Sequence, residues 1–228
     1  MASQYEALGK VRQISDAAGA VSVGNVQNFS LSQQLEQLVA QGAAPYQEVT
    51  RAGQSFWVGT TSAIAAVVAI PTTAHMFTIY NAEPDGGKSI VIDWVAAQNV
   101  VTTAVACQAQ MIACLGQVRE AIATNSAMIF NKTNGTGAGA NAFPTVRSVL
   151  SGTALPAGTG LAASWCPVGN SVGKPGVTTT PGYGLFVPLD GRFIVPPGRY
   201  FAVHVLANVV GETFVAQIAG TLKQLSLG

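Results

Sequence analysis

From about residue 50 onward the chain is written in short apolar runs separated by Gly, Pro and Asn. Thr213-Phe-Val-Ala-Gln-Ile-Ala219 alternates. It puts Phe214, Ala216 and Ile218 on one face and Val215, Gln217 and Ala219 on the other, which is the period of a strand. Tyr200-Phe-Ala-Val-His-Val-Leu206 and Ser89-Ile-Val-Ile-Asp-Trp-Val95 are rich in the β-branched and aromatic residues that fit a pleated surface. Further strands are predicted at Ile64–Ile70, Met76–Tyr80, Thr145–Leu150, Leu161–Cys166, Leu185–Val187 and Arg192–Val195. Thr103–Leu115 reads as a strand, with a helix as the alternative because Ala and Gln are common in it. Turn-forming clusters punctuate the series at Asn81–Gly87, Pro196–Arg199 and Asn208–Glu212, and Asp190-Gly191 reads as a hairpin turn.

The first 45 residues follow another pattern. Residues 1–29 are small and polar without a period and predict an extended arm. Leu31, Leu35, Leu38 and Val39 then fall on one helical face. Ser30 stands as N-cap with Gln33 at N3, and Gly42 and Pro45 supply the stop. One short helix over Leu31–Gln41 is expected, with Leu31, Leu35 and Leu38 docking on the main domain or on a neighbouring subunit. Closely spaced strands with one minor helix predict an all-β fold: an antiparallel jelly-roll β-sandwich over residues 46–228, preceded by an arm and helix over 1–45. Residues 131–184, rich in Gly, Thr, Ala and Pro, are expected to form a long loop region.

Composition changes the picture in one respect. Charged residues make up only 9% of the 228 positions and the net charge is +1, against about 25% charge in a typical soluble domain. Surface charge normally keeps copies apart. A chain that omits it is expected to have much of its surface covered by neighbours. There is no basic run of the kind that binds nucleic acid, and no apolar stretch of the roughly 20 residues needed to span a bilayer. The first residues lack the pattern of a signal peptide, which predicts synthesis in a cytoplasm.

Candidate chemistry is sparse. Cys107, Cys114 and Cys166 have no C-x-x-C spacing. Cys107 and Cys114, seven apart on one strand, should face opposite sides, as small buried hydrophobes, with a bridge to Cys166 as the alternative. His75 and His204 have no carboxylate at ligand spacing. Gly169-Asn-Ser-Val-Gly-Lys174 lacks one residue of the phosphate-loop spacing and is followed by Pro175. Glu83, Asp85 and Asp93 sit near one turn, where a solvated turn is preferred over a cation site. The sequence therefore predicts no catalytic residue, metal or cofactor, and a protein that is not an enzyme. Trp57 is expected at one end of the sandwich or at a subunit contact, and Trp94 in the core. Trp165 and Tyr183 are the aromatics that a loop-borne glycan site would use.

One resemblance gathers these segments. Phe77-Thr-Ile-Tyr-Asn81, a Gly-Gly turn, Lys88-Ser-Ile-Val-Ile-Asp-Trp94, and the ending Ile194-Val-Pro-Pro-Gly-Arg-Tyr-Phe-Ala202 with Thr213-Phe-Val-Ala-Gln217 resemble jelly-roll virion proteins of tailed bacteriophages. The likeness spans residues 55–220 as a style of turn and strand. It implies a decoration, cement or head-fibre-base subunit on a capsid. Such a subunit is often a trimer, is partnered by the major capsid protein or another virion protein, and acts without nucleic acid or membrane contact. It offers no catalytic residue. The alternative is a receptor- or glycan-binding tail module acting through the 131–184 loops.

Overall fold

The computed structural model describes residues 30–31, 37–38, 47–72, 75–116, 129–136, 145–150, 165–176 and 183–225. The chain divides into two units, Met1–Ala44 and Pro45–Gly228. In the first, two short strands, β1 (Ser30–Leu31) and β2 (Gln37–Leu38), pair antiparallel. Leu31, Gln37 and Leu38, within the helix expected over Leu31–Gln41, are therefore in strands, and residues 32–36 and 39–41 lie outside the described residues. An eleven-residue helix gains little in water without a packed face. Leu35 lies outside the described residues. The helix that is described is a single turn, α1 (Gln47–Arg51), on which Arg51 and Glu48 form an exposed ion pair at 2.8 Å.

The second unit is an all-β sandwich of two antiparallel sheets. One sheet has the order β10-β7-β12-β5-β9 and the other β11-β6-β13-β3-β8, with β4 added to β13. The strands are β3 (Ser55–Gly59), β4 (Ile64–Ala65), β5 (Phe77–Asn81), β6 (Ser89–Val101), β7 (Cys107–Leu115), β8 (Ile129–Lys132), β9 (Val146–Leu150), β10 (Trp165–Lys174), β11 (Gly184–Val195), β12 (Tyr200–Ala207) and β13 (Thr213–Lys223). The pairing is nested. β3 pairs with β13, β5 with β12, β6 with β11 and β7 with β10. β8 and β9 extend opposite sheets at their outer edges.

Alternation does what the sequence predicts on β13: Phe214, Ala216 and Ile218 enter the core. On β7, Cys107, Ala109, Met111 and Ala113 face the core, while Ile112 and Cys114 join a second apolar cluster with Tyr80, Trp165, Tyr200 and Ala202. Cys107 and Cys114 thus face opposite sides, and all three cysteines are free. The residues that carry the phage-protein likeness meet in space. The Asn81 carboxamide donates to the carbonyls of Lys88 (2.8 Å) and Val195 (2.9 Å), and the Asn81 backbone bonds to Gly198 and Arg199 of the Pro-Pro-Gly turn. One buried amide therefore holds two distant turns together.

Three boundaries differ from expectation. Asp190-Gly191 does not reverse the chain. β11 pairs with β6 on both sides of it, and the positive φ of Asp190 (48°) and Gly191 (76°) is absorbed in a bulge between Pro188 and Phe193. Ile64–Ile70 is a strand only at Ile64–Ala65. Val67 then bridges Leu206 of the opposite sheet, so this segment crosses the end of the sandwich. β10 runs on to Lys174, well into the region expected as loop. Its Pro167, Gly169 and Gly173 disguise it, and a register shift between Val168 and Val172 accommodates them.

Candidate functional site

Two surfaces and one buried cluster stand out. The first surface is the outer face of the six-stranded sheet. Phe56 and Val58 are in the core, so Trp57 between them points outward. Ala219 pairs with Trp57 on one side and with Trp94 on the other, placing the two indoles in one row across three strands. Trp94 stacks on Phe186 at 5.6 Å. Phe186 pairs with Ala96 on the edge strand β11 and is 63% exposed. Around them on this face Gly59, Gln217, Ala96, Gln98 and Pro188 are uncharged, and the charged groups are Asp93, beside Trp94 in the β6 bulge, with Lys223 and Asp190 acting on it. Trp57 is half-buried. Trp94, expected in the core, lies on this outer face. The extra residue Asp93 makes a bulge in β6 between Trp94 and Ile92, and that bulge shifts the alternation.

The second surface is one end of the sandwich. Thr213 pairs with both Val101 and Ala65, Glu212 accepts a bond from Ala66, and Val67 bridges Leu206. This brings the exposed Val68, Ile70, Val100, Val101, Val105 and Val210 to the same end.

Beneath that end lies the cluster. Glu212, fully buried, receives hydrogen bonds on Oε1 from Thr103 N–H (3.0 Å) and from the Thr103 (3.0 Å) and Thr102 (3.1 Å) hydroxyls. Lys174 Nζ lies 3.2 Å from the same oxygen and donates to the Thr103 carbonyl. Oε2 accepts from Asn99 Nδ2 (2.9 Å) and from the Tyr183 hydroxyl (3.4 Å), which also reaches Cys107 Sγ. Burial pushes the Glu212 carboxyl up, but the Thr103, Lys174 and Thr102 contacts outweigh it and leave it below the ordinary range. Burial, then Cys107 and Glu212, push the Tyr183 phenol well above its usual value. Of this cluster only Tyr183 and Cys107 are candidates from the sequence. Glu212 lay in a turn and Lys174 in a rejected phosphate loop, and only the fold joins them.

Trp165 is not a loop residue. It opens β10 and is 6% exposed in the second apolar cluster. Tyr183 is partly buried edge-on against Phe214 at 5.6 Å. The two aromatics of the glycan reading are thus committed to packing. Leu31 and Leu38, taken as docking residues, are in β1 and β2. The histidines are both buried and close enough for His75 to disfavour charge on His204. Among the described residues no group of three or more His, Cys, Asp or Glu is placed to hold a metal ion, and no helix is long and apolar enough to cross a membrane.

Asp93 carries a pH prediction. Its Oδ1 is buried without a partner, and burial pushes its carboxyl up to about 6, with Lys223 opposing and Asp190 assisting. A raised carboxyl favours the protonated form in the fold. Its stabilising effect is therefore full below pH ~4, the unfolded value, and is lost as pH rises through ~6. With the half-exposed site discounted for solvent screening, Asp93→Asn should gain ~1–2 kcal/mol over wild type at pH 8 and almost nothing at pH 4. His204 acts oppositely: burial holds its imidazole at about 4, so its contribution is lost as pH falls from ~6.5 through ~4. The readout is therefore the difference between variant and wild type in urea unfolding at each pH. A difference that does not grow between pH 4 and 8 would remove Asp93 as its source.

Comparison with known proteins adds no relative: no family model, no curated protein and no solved structure matches this chain.

Proposed function

We propose that this chain is a structural subunit of a virion, of the capsid decoration or cement type, that stabilises a shell by packing as a homo-oligomer against copies of itself and against the major capsid protein. The observation that carries the reading is the outer face of the six-stranded sheet. There Trp57, Trp94 and Phe186 share an aromatic surface on the sheet, with Asp93 at its margin. Large aromatics surrounded by few charges are what the centre of a protein interface is made of. The low overall charge and the six exposed aliphatic residues at one end point the same way. The nested pairing β3/β13, β5/β12, β6/β11 and β7/β10 supports reading the sandwich as a jelly roll, the fold the phage-protein likeness implies. The contact would work by removing apolar area from water, at about 25 cal/mol per Å², less the cost of association.

Two measurements test this. The purified full-length chain should run as a closed oligomer, with a trimer expected, and Phe186→Asp should shift it toward monomer. Phe186 is exposed, so that change should leave the far-UV spectrum unchanged and, at concentrations where both proteins are monomeric, the unfolding free energy within about 0.5 kcal/mol of wild type. Peptides of this chain should also appear in purified particles at copy numbers comparable to the shell protein. A lone monomer that is absent from particles would overturn the proposal.

A further inference from the structure

Lys174, Asn99 and Glu212 form an arrangement that the packing role does not require. Asn99 faces the interior from β6 of one sheet. Lys174 pairs with the core-facing Cys107 and enters from β10 of the other. Glu212, from the turn before β13, stands between them and touches both. Its Oε1 is 3.2 Å from Lys174 Nζ and its Oε2 is 2.9 Å from Asn99 Nδ2. All three side chains are buried. The site thus holds a primary amine, a carboxamide and a carboxyl group, all buried, with the carboxyl bridging the other two. Asn99 Oδ1 is buried with no hydrogen-bond partner. Its Nδ2, by contrast, is held by the carbonyls of Val101 (3.1 Å) and Thr213 (3.2 Å) as well as by Glu212. The amide is therefore fixed in orientation, and its carbonyl oxygen is free to take up a proton.

We propose that Lys174 and Asn99 join in an intramolecular isopeptide bond, with Glu212 as the proton carrier. Glu212 takes a proton from Lys174, leaving a neutral amine beside a carboxylic acid. The Nζ lone pair attacks Asn99 Cγ, and Glu212 gives its proton to the developing oxyanion on Oδ1. As the tetrahedral intermediate collapses, the Cγ–Nδ2 bond breaks. The second Nζ proton and then the Oδ1 proton pass through the Glu212 carboxylate to Nδ2, which leaves as ammonium. One C–N bond replaces another, no oxidant or cofactor is needed, and Glu212 ends as it began. The amine must come within about 3–3.5 Å of Cγ, and the four-carbon lysine stem has the torsional freedom for this. The hydrogen bonds that hold the Glu212 carboxyl below its usual range make the ion pair the resting form and the neutral pair the minor one. A minor population suffices, because the reaction happens once per molecule and escape of ammonia makes it irreversible. The product ties the two sheets together at the end where the apolar rim lies, a covalent strap against forced opening.

The test is the mass of the folded full-length protein. The expected result is a chain about 17 Da lighter than its sequence, the mass of one ammonia. After proteolysis, a branched peptide should join the Asn99 segment to the Lys174 segment. The branched peptide is the deciding readout, because succinimide formation at Asn134-Gly135 would lose the same mass without a branch. Glu212→Gln should remove the branched peptide. Lys174→Arg, which keeps a cation beside Glu212 but supplies no nucleophilic amine, should remove it while preserving the circular dichroism spectrum. Folded wild-type protein with no branched peptide overturns the proposal. A branched peptide that persists at wild-type yield in Glu212→Gln overturns the role of Glu212.

Discussion

Glu212→Ala is expected to lose about 3–5 kcal/mol of stability, the usual consequence of removing one partner of a buried ion pair. The reason is what the truncation leaves behind. Lys174 stays in the interior with no counter-charge, and the Thr102 and Thr103 hydroxyls, the Thr103 N–H and the Asn99 amide lose their common acceptor. Each stranded donor carries its own desolvation penalty. Against a total of ~5–15 kcal/mol for a domain, such a loss should move the urea midpoint far to the left, and at the high end should prevent accumulation of folded protein. The double replacement Lys174→Met with Glu212→Leu checks the charge argument, since apolar groups of similar volume remove the stranded ammonium. It should recover a large part of the loss. If the double variant were no more stable than Glu212→Ala, the penalty would not come from the orphaned charge. Where the Lys174–Asn99 cross-link has formed, both variants also lose that bond, so the figure for Glu212→Ala is a floor.

Phe201→Ala should be comparably damaging, at about 3–5 kcal/mol, by another mechanism. Phe201 is fully buried at the centre of the five-stranded sheet, with Ile79 beside it on β5 and Leu115 on β7. Its ring meets Phe193 of the opposite sheet at 5.3 Å. Truncation opens a cavity between two sheets whose strands are each fixed by ladders to their neighbours, so the walls relax little and the lost contacts are not replaced. Equilibrium urea unfolding against wild type measures it. Phe186→Ala, on the outer face, is the control and should lie within ~0.5 kcal/mol. Equal losses at the two positions would contradict the assignment of core and outer face.

Much of the sandwich is legible in the residues themselves. Strand period and turn chemistry are local, so β5, β9, β12 and β13 fall close to where alternation and Gly/Pro punctuation put them. Failures came where a local signal had a second solution. Asp190-Gly191 has the composition of a hairpin turn, but both residues equally suit a bulge, and the ladder to β6 decided between them. The leucine spacing after Ser30 fits a helix face, but a helix that short depends on packing, which periodicity does not report. β10 was hidden because a strand held by its partner tolerates Pro and Gly that propensity counts against it. The single residue Asp93 reversed Trp94 from the core to the outer face, since one inserted position flips every side chain beyond it.

The sequence by itself determined that this is a weakly charged, strand-built chain with Phe214, Ala216 and Ile218 on one face of its last strand and with Cys107 and Cys114 on opposite sides of another. Those facts depend on residues a few positions apart. Only the tertiary structure decided which strands are neighbours, that Trp57, Trp94 and Phe186 share one surface, and that Asn99, Lys174 and Glu212 meet in one buried site. The reason is physical. A side-chain contact across a sandwich is set by register and sheet packing over separations such as the 113 residues between Asn99 and Glu212, and no local period encodes it.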